Sequence, residues 1–230
     1  SKISNNTMGS TMAETTYAVH LTDSDSVDVK NNTIEWNATG ASNSYGIYVY
    51  VNSAKIVGNN TVENNTITSL GSYTYGVQLT TEGTSNYNKI QSNTFILNAS
   101  ANTFGVAMST YNNPSAVMDY NTIENNTFDI TATAQPYGIE LYNYNTDTVN
   151  SNTVQNNSFA IVGGTYAYGI RLYNDDVGSS ALQSTTIQEN RINVTSSASS
   201  SELRSWGLYL YVAEYTNASQ NTINATAPSA

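Results

Sequence analysis

The chain has 230 residues, of which 39% are hydrophobic and only 10% charged, and seven basic against 17 acidic residues give a formal charge of −10. That balance excludes a basic nucleic-acid surface and a polybasic membrane anchor. With no Cys and a single His, His20, disulfides, thiolate zinc and histidine metal sites are excluded, and no cofactor is expected. No apolar run reaches the 18 residues of a helical membrane span, no signal peptide is visible, and a start at Ser1 reads as a processed product or an excerpt.

In chain order, one unit recurs eight times: apolar, any, Asn-like, Asn, Thr-like, apolar. It opens at Ile3-Ser4-Asn5-Asn6-Thr7-Met8 and Val29-Lys30-Asn31-Asn32-Thr33-Ile34, and returns at Val62, Ile90, Ile123, Val154, Ile187 and Ala218, at intervals of 26 to 33 residues. A second unit follows each of the first seven: aromatic, Gly, apolar, any, apolar. It reads Tyr45-Gly46-Ile47-Tyr48-Val49, then Tyr75-Gly76, Phe104-Gly105, Tyr137-Gly138, Tyr168-Gly169 and Trp206-Gly207, with Tyr17-Ala18 as the first copy. Both units alternate apolar and polar residues with period two, so they predict strands, and no helical period competes. Short strands in fixed order, repeated at about 31 residues, predict a single all-β domain over residues 1–230: a single-stranded parallel β-helix, or solenoid, of about seven coils.

The ladder column Asn6, Asn32, Asn65, Asn93, Asn126, Asn157, Asn190 and Asn221 admits no exception. Its parity places it inside, where stacked amides bond to one another and to turn backbone. A left-handed conformation at the turn is also expected of these asparagines. Three apolar stacks follow, starting at Ile3, Met8 and Val19. The column Tyr17, Tyr45, Tyr75, Phe104, Tyr137, Tyr168 and Trp206 shares parity with the third, which predicts an inner aromatic stack at a corner.

These repeats resemble the right-handed parallel β-helix (pectate-lyase-like) superfamily, and in character the Asn-rich adhesin-like and envelope proteins of archaeal and bacterial cell surfaces. The resemblance implies an extracellular or cell-surface location. The superfamily also hosts lyases and hydrolases, so fold alone does not give activity. Polygalacturonase-like members carry Asn-Thr-Asp, Asp-Asp, Gly-His-Gly and Arg-Ile-Lys on successive coils. Here Asn145-Thr146-Asp147 and Asp175-Asp176 match in part, Gly-His-Gly is missing, and Arg191-Ile192-Asn193 lacks the Lys. No catalytic residue is therefore assigned. Asp23, Asp25 and Asp28 read as a solvated acidic turn rather than a calcium site.

Outward positions carry the remaining expectations. Asn5, Asn31, Asn64, Asn125 and Asn156 head Asn-x-Ser/Thr motifs at one turn position and are candidate N-glycosylation acceptors. Tyr48, Tyr50, Tyr142, Tyr173, Tyr209 and Tyr211 form exposed rows suited to a glycan or a neighbouring subunit. Glu140 and Arg171 are expected to pair across coils. The row beside the Thr column (Gly9, Glu35, Thr68, Ile96, Asp129, Ala160) is too irregular for an ice-binding face. With no capping helix at either end, the coils are expected to stack head-to-tail on identical subunits, or to continue in a longer solenoid. The leading expectation is a non-enzymatic structural subunit of a filament, sheath, envelope or adhesin; the alternative is a carbohydrate-binding or carbohydrate-processing β-helix.

Overall fold

The computed structural model describes residues 1–12, 15–38, 43–111, 113, 115–144, 147–175, 182–196 and 204–227. All regular structure among them is β. One coil shows the plan: Thr122–Glu124, a turn, Thr127–Ala132, then Pro136–Asn143 and Val149–Asn150. Each strand pairs in parallel with its copies in the coils before and after.

Three sheets result. Sheet 1 has eight strands, from Lys2–Ser4 to Asn217–Ser219; sheet 2 has eight, from Thr7–Met12 to Thr222–Thr226; sheet 3 has seven, from Thr16–Thr22 to Arg204–Tyr211. The wall between sheets 3 and 1 is broken into two short ladders, Ile56–Gly58 with Thr84–Asn86, and Val149–Asn150 with Leu182–Gln183 and Ala213–Glu214. Isolated bridges through Val117 connect them. The eight rungs of sheet 1 span roughly 34 Å at the usual inter-strand spacing.

Register is in phase throughout. Ile3 pairs with Val29, Val29 with Val62, and Ile90 with Ile123, so like side chains stack along the axis. Phe95, Phe128 and Phe159 lie ring over ring at 4.7–4.8 Å and 3°, fully inside. Such like-on-like contact between neighbouring coils is the ordinary source of solenoid stability.

The eight ladder asparagines are bonded in one unbroken series. Asn126 is typical: its backbone N–H and Nδ2 both donate to Asn157 Oδ1 (3.0 Å each), its Nδ2 also donates back to Ile90 O (2.8 Å), and its own Oδ1 accepts from Asn93 N and Nδ2. Every valence of the amide is used. The six inner members are about 1% exposed, while Asn6 and Asn221 on the edge coils are more open.

Two expectations need correction. The left-handed residue of the turn is not the ladder asparagine but the one before it: Asn5, Asn31, Asn64, Ser92, Asn125, Asn156, Glu189 and Gln220 all lie at φ 53–60°. The ladder residue is already extended, which lets its amide lie along the axis. The aromatic column, moreover, is outside. In Asn43–Val51 the buried positions are Ser44, Gly46, Ile47, Val49 and Val51, so two successive residues point inward and the parity inverts at the glycine. The kink repeats in every strand of sheet 3 from Asn43–Val51 onward. A side chain at the glycine has no room: a Cβ on Gly138 would lie 2.5 Å from both Gly169 O and Phe159 Cδ1.

The aromatic rings instead form a continuous outer stack, from Tyr17 to Trp206, with centroids 4.5–4.9 Å apart. The mutual cover is close enough that Phe104 and Tyr137 are buried.

Replacing Asn126 by Ala removes four side-chain hydrogen bonds and leaves Asn93 donors and Ile90 O unsatisfied in the interior. Each orphaned buried group costs about 1–3 kcal/mol, so the variant should lose at least about 3 kcal/mol in urea unfolding. Asn221→Ala, on an open edge, should lose clearly less.

Candidate functional site

Among the described residues no three His, Asp or Glu side chains converge as a metal site. Asp23 accepts from Asn52 N (2.7 Å) and Nδ2 (2.8 Å), Asp25 accepts from Gly58 N (3.0 Å), and Asp28 pairs with Lys30 (3.3 Å). Asp23 and Asp25 therefore tie one coil to the next, while Asp28 pairs within its own strand.

The partial Asn-Thr-Asp and Asp-Asp motifs do not assemble. Asn145, Thr146 and Asp176 lie outside the described residues. Asp147 and Asp175 stand on opposite sides of the wall: Asp147 is 1% exposed, inside the corner between sheets 3 and 1, while Asp175 is on the surface. Neither oxygen of Asp147 has a hydrogen-bond partner. Burial pushes its carboxyl up to about 6.

Two polar columns escaped the sequence reading. Asn60, Asn88, Asn121 and Asn152 form a second internal ladder at the turn leading into sheet 1. Each of the first three donates N and Nδ2 to the next Oδ1, as in Asn88 to Asn121 at 2.9 Å for both donors. The signal was present: an Asn recurs two residues before Val62, Ile90, Ile123 and Val154. A third column, Thr81, Thr110, Asn143 and Asn174, closes sheet 3 on the inside, with Thr110 Oγ1 donating to Asn143 Oδ1 at 2.8 Å. Its mixed composition hid it.

The outer face of sheet 3 holds the candidate contact residues, and it splits into two islands. Tyr48 and Tyr50 stand together on one coil, where Tyr50 Oη donates to Glu82 Oε1 at 2.6 Å. That bond to a carboxylate is the main reason the Tyr50 hydroxyl is pushed up to about 12. Tyr142, Tyr173 and Tyr211 form the second island, stacked at 5.5 and 5.0 Å, with Tyr209 edge-on to Tyr168.

Arg171 lies inside the second island. Its Cζ is 4.2 Å from the Tyr173 centroid and 5.5 Å from those of Tyr137 and Tyr168, and Nη1 bonds Glu140 Oε1 at 2.7 Å. The expected pair is therefore present, but largely shielded by rings. Desolvation holds the Glu140 carboxyl above its usual range, with Arg171 opposing.

Between the islands, Gln78, Thr80, Ala107 and Ser109 replace the tyrosines. Here the surface dips into an open hollow of about 270 Å³, bounded by Tyr75, Tyr111, Tyr142 and Tyr144.

The continuous in-phase sheets and internal ladders define a parallel β-solenoid. A family model described as right handed beta helix region matches residues 1–227, and the chain belongs to that family. Neither the curated proteins nor the solved structures contain a match to the chain.

Asp147 gives a signed pH prediction. A carboxyl raised from 3.8 to about 6 on folding carries no penalty below the unfolded value, and stability is lost as pH rises through the folded one. Asp147→Asn removes that dependence. Between pH 4 and pH 8 the stability difference should move in the variant's favour by on the order of 2 kcal/mol, read by urea unfolding at each pH.

Proposed function

We propose that this chain is a non-enzymatic structural segment of an extracellular or cell-surface assembly, such as a filament, sheath, envelope layer or adhesin stalk. The observation that carries the reading is where the repeated chemistry goes. The two amide ladders and the glycine kink are spent on stacking coil upon coil, and the two carboxylates nearest to a hydrolase pattern, Asp147 and Asp175, do not share a face.

The ladder also has a direction that suits end-to-end growth. Each amide donates N–H groups toward the next coil and offers its oxygen to the previous one. The Asn6 edge therefore presents an acceptor, and the Asn221 edge presents donors. A further coil of the same kind fits either edge, supplied by a second copy or by more of the same solenoid. Negative-stain electron microscopy and small-angle scattering of the purified chain test assembly: rods longer than a single chain are expected, and a strictly monomeric population at high concentration would count against end-to-end assembly.

A second reading, carbohydrate binding on sheet 3, is favoured by one feature: the hollow over Ala107 and Ser109, walled by tyrosines and flanked by Glu140 and Gln78. Aromatic faces beside polar groups suit a pyranose ring. Under this reading, Tyr142→Ser with Tyr173→Ser should reduce retention on immobilised polysaccharide at least tenfold with unchanged circular dichroism. Equal retention by the parent and the double variant would remove it.

A further inference from the structure

The turn that carries the main ladder presents a second asparagine on most coils. Asn5, Asn31, Asn64, Asn125 and Asn156 stand at φ 53–60° and are exposed. Their backbone amides bond the next coil, as Asn125 N does Gln155 O at 3.2 Å. Their side-chain amides take no part in the ladder. Two residues on, Thr7, Thr33, Thr66, Thr127 and Ser158 open the strands of sheet 2 with their side chains on the outer side. The Asn-x-Ser/Thr pattern is thus displayed outward five times at one place in the repeat. The turn itself does not demand asparagine, because Ser92, Glu189 and Gln220 adopt the same conformation at φ 56°, 57° and 56°.

We propose that these five turns form one column of N-glycan acceptors in which occupancy of one coil excludes occupancy of the next. The inference rests on the extracellular reading, since the chain must meet a glycosyl donor. The donor class is an oligosaccharide carried on a lipid pyrophosphate. Asparagine Nδ2 attacks the anomeric carbon, the N–C bond forms as the C–O bond to pyrophosphate breaks, the lipid pyrophosphate leaves, and one amide proton is released.

Exclusion follows from the rung spacing. Asn5, Asn31 and Asn64 lie on three successive coils, Ser92 interrupts the column, and Asn125 and Asn156 lie on two more. Successive rungs are about 4.8 Å apart, and a glycan is bulky enough to cover more than its own rung. The column then has room for no more than three glycans: Asn5, Asn64 and one of Asn125 or Asn156.

The test is secretion of the full chain from an N-glycosylating host, with intact mass and glycopeptide mapping. The segment Ile90–Arg171 contains no internal Lys or Arg, so cleavage at basic residues keeps Asn125 and Asn156 on one peptide and reports both on the same molecule. The expected result is one glycan on that pair, never two. Asn125→Gln should raise occupancy at Asn156 at least twofold, and Asn5→Gln combined with Asn64→Gln should do the same for Asn31, which has a neighbour on either side; Gln220 shows that the turn accepts glutamine. A column without glycans, or peptides glycosylated at both Asn125 and Asn156, would overturn the proposal. Fractionation of the source cells decides the extracellular reading separately, because the acceptor geometry is read in the host.

Discussion

A primary amide sealed from water must have both its hydrogens and its oxygen engaged, and along this ladder the partners are the matching amides one coil away and a backbone carbonyl of the preceding coil. That requirement organises the rest. It fixes the phase of every repeat, because a coil slipped by one residue would leave Asn126 without Asn157 and without Ile90 O. It also places a left-handed residue before each asparagine, and it brings the apolar residues on either side of the turn into stacks. The side-chain ladder and the sheet hydrogen bonds run in the same direction, along the axis, so they reinforce one another.

The outside of the molecule is built differently. On sheet 1, Lys30 pairs with Glu63, Gln91 donates to Glu63, Gln155 to Glu124, and Gln188 to Gln155. On sheet 3 the rings stack from Tyr17 to Trp206. Surface groups therefore also favour their own kind or their complement on the next coil. The departures from this rule are informative: the hollow where Ala107 and Ser109 interrupt the tyrosines, and Asp147, enclosed without a partner. Neither continues the stacking that the columns around it provide.

Much of the architecture was legible because the repeat encodes it redundantly. Eight asparagines at one phase locate a turn, two strands and an interior with little ambiguity. The aromatic column was misplaced because simple alternation joins Tyr45 to Ile47, and only the packing of Gly46 against Trp36 and Ile67 shows that the parity inverts between them. The second ladder was hidden by its shorter run, ending where Thr185 follows Asn152, and by the strained tyrosines Tyr87 and Tyr120 that precede two of its members at φ 59° and 58°. The buried state of Asp147 was beyond sequence reasoning, because Asp147 falls outside both repeated units. Of the candidate surface, the identity of the tyrosines was legible, but their division into two islands depended on which neighbours are small.

The one-way sense of the amide bonds has a consequence for how such a rod varies in size. Every interior coil gives to its successor and takes from its predecessor in the same manner, so no coil holds a unique place in the series. Excising residues 94–126 would join Asn93 directly to Thr127 and leave each remaining amide facing an equivalent neighbour. Length is then a whole number of interchangeable turns, and gain or loss of a single turn alters reach without requiring any new kind of contact.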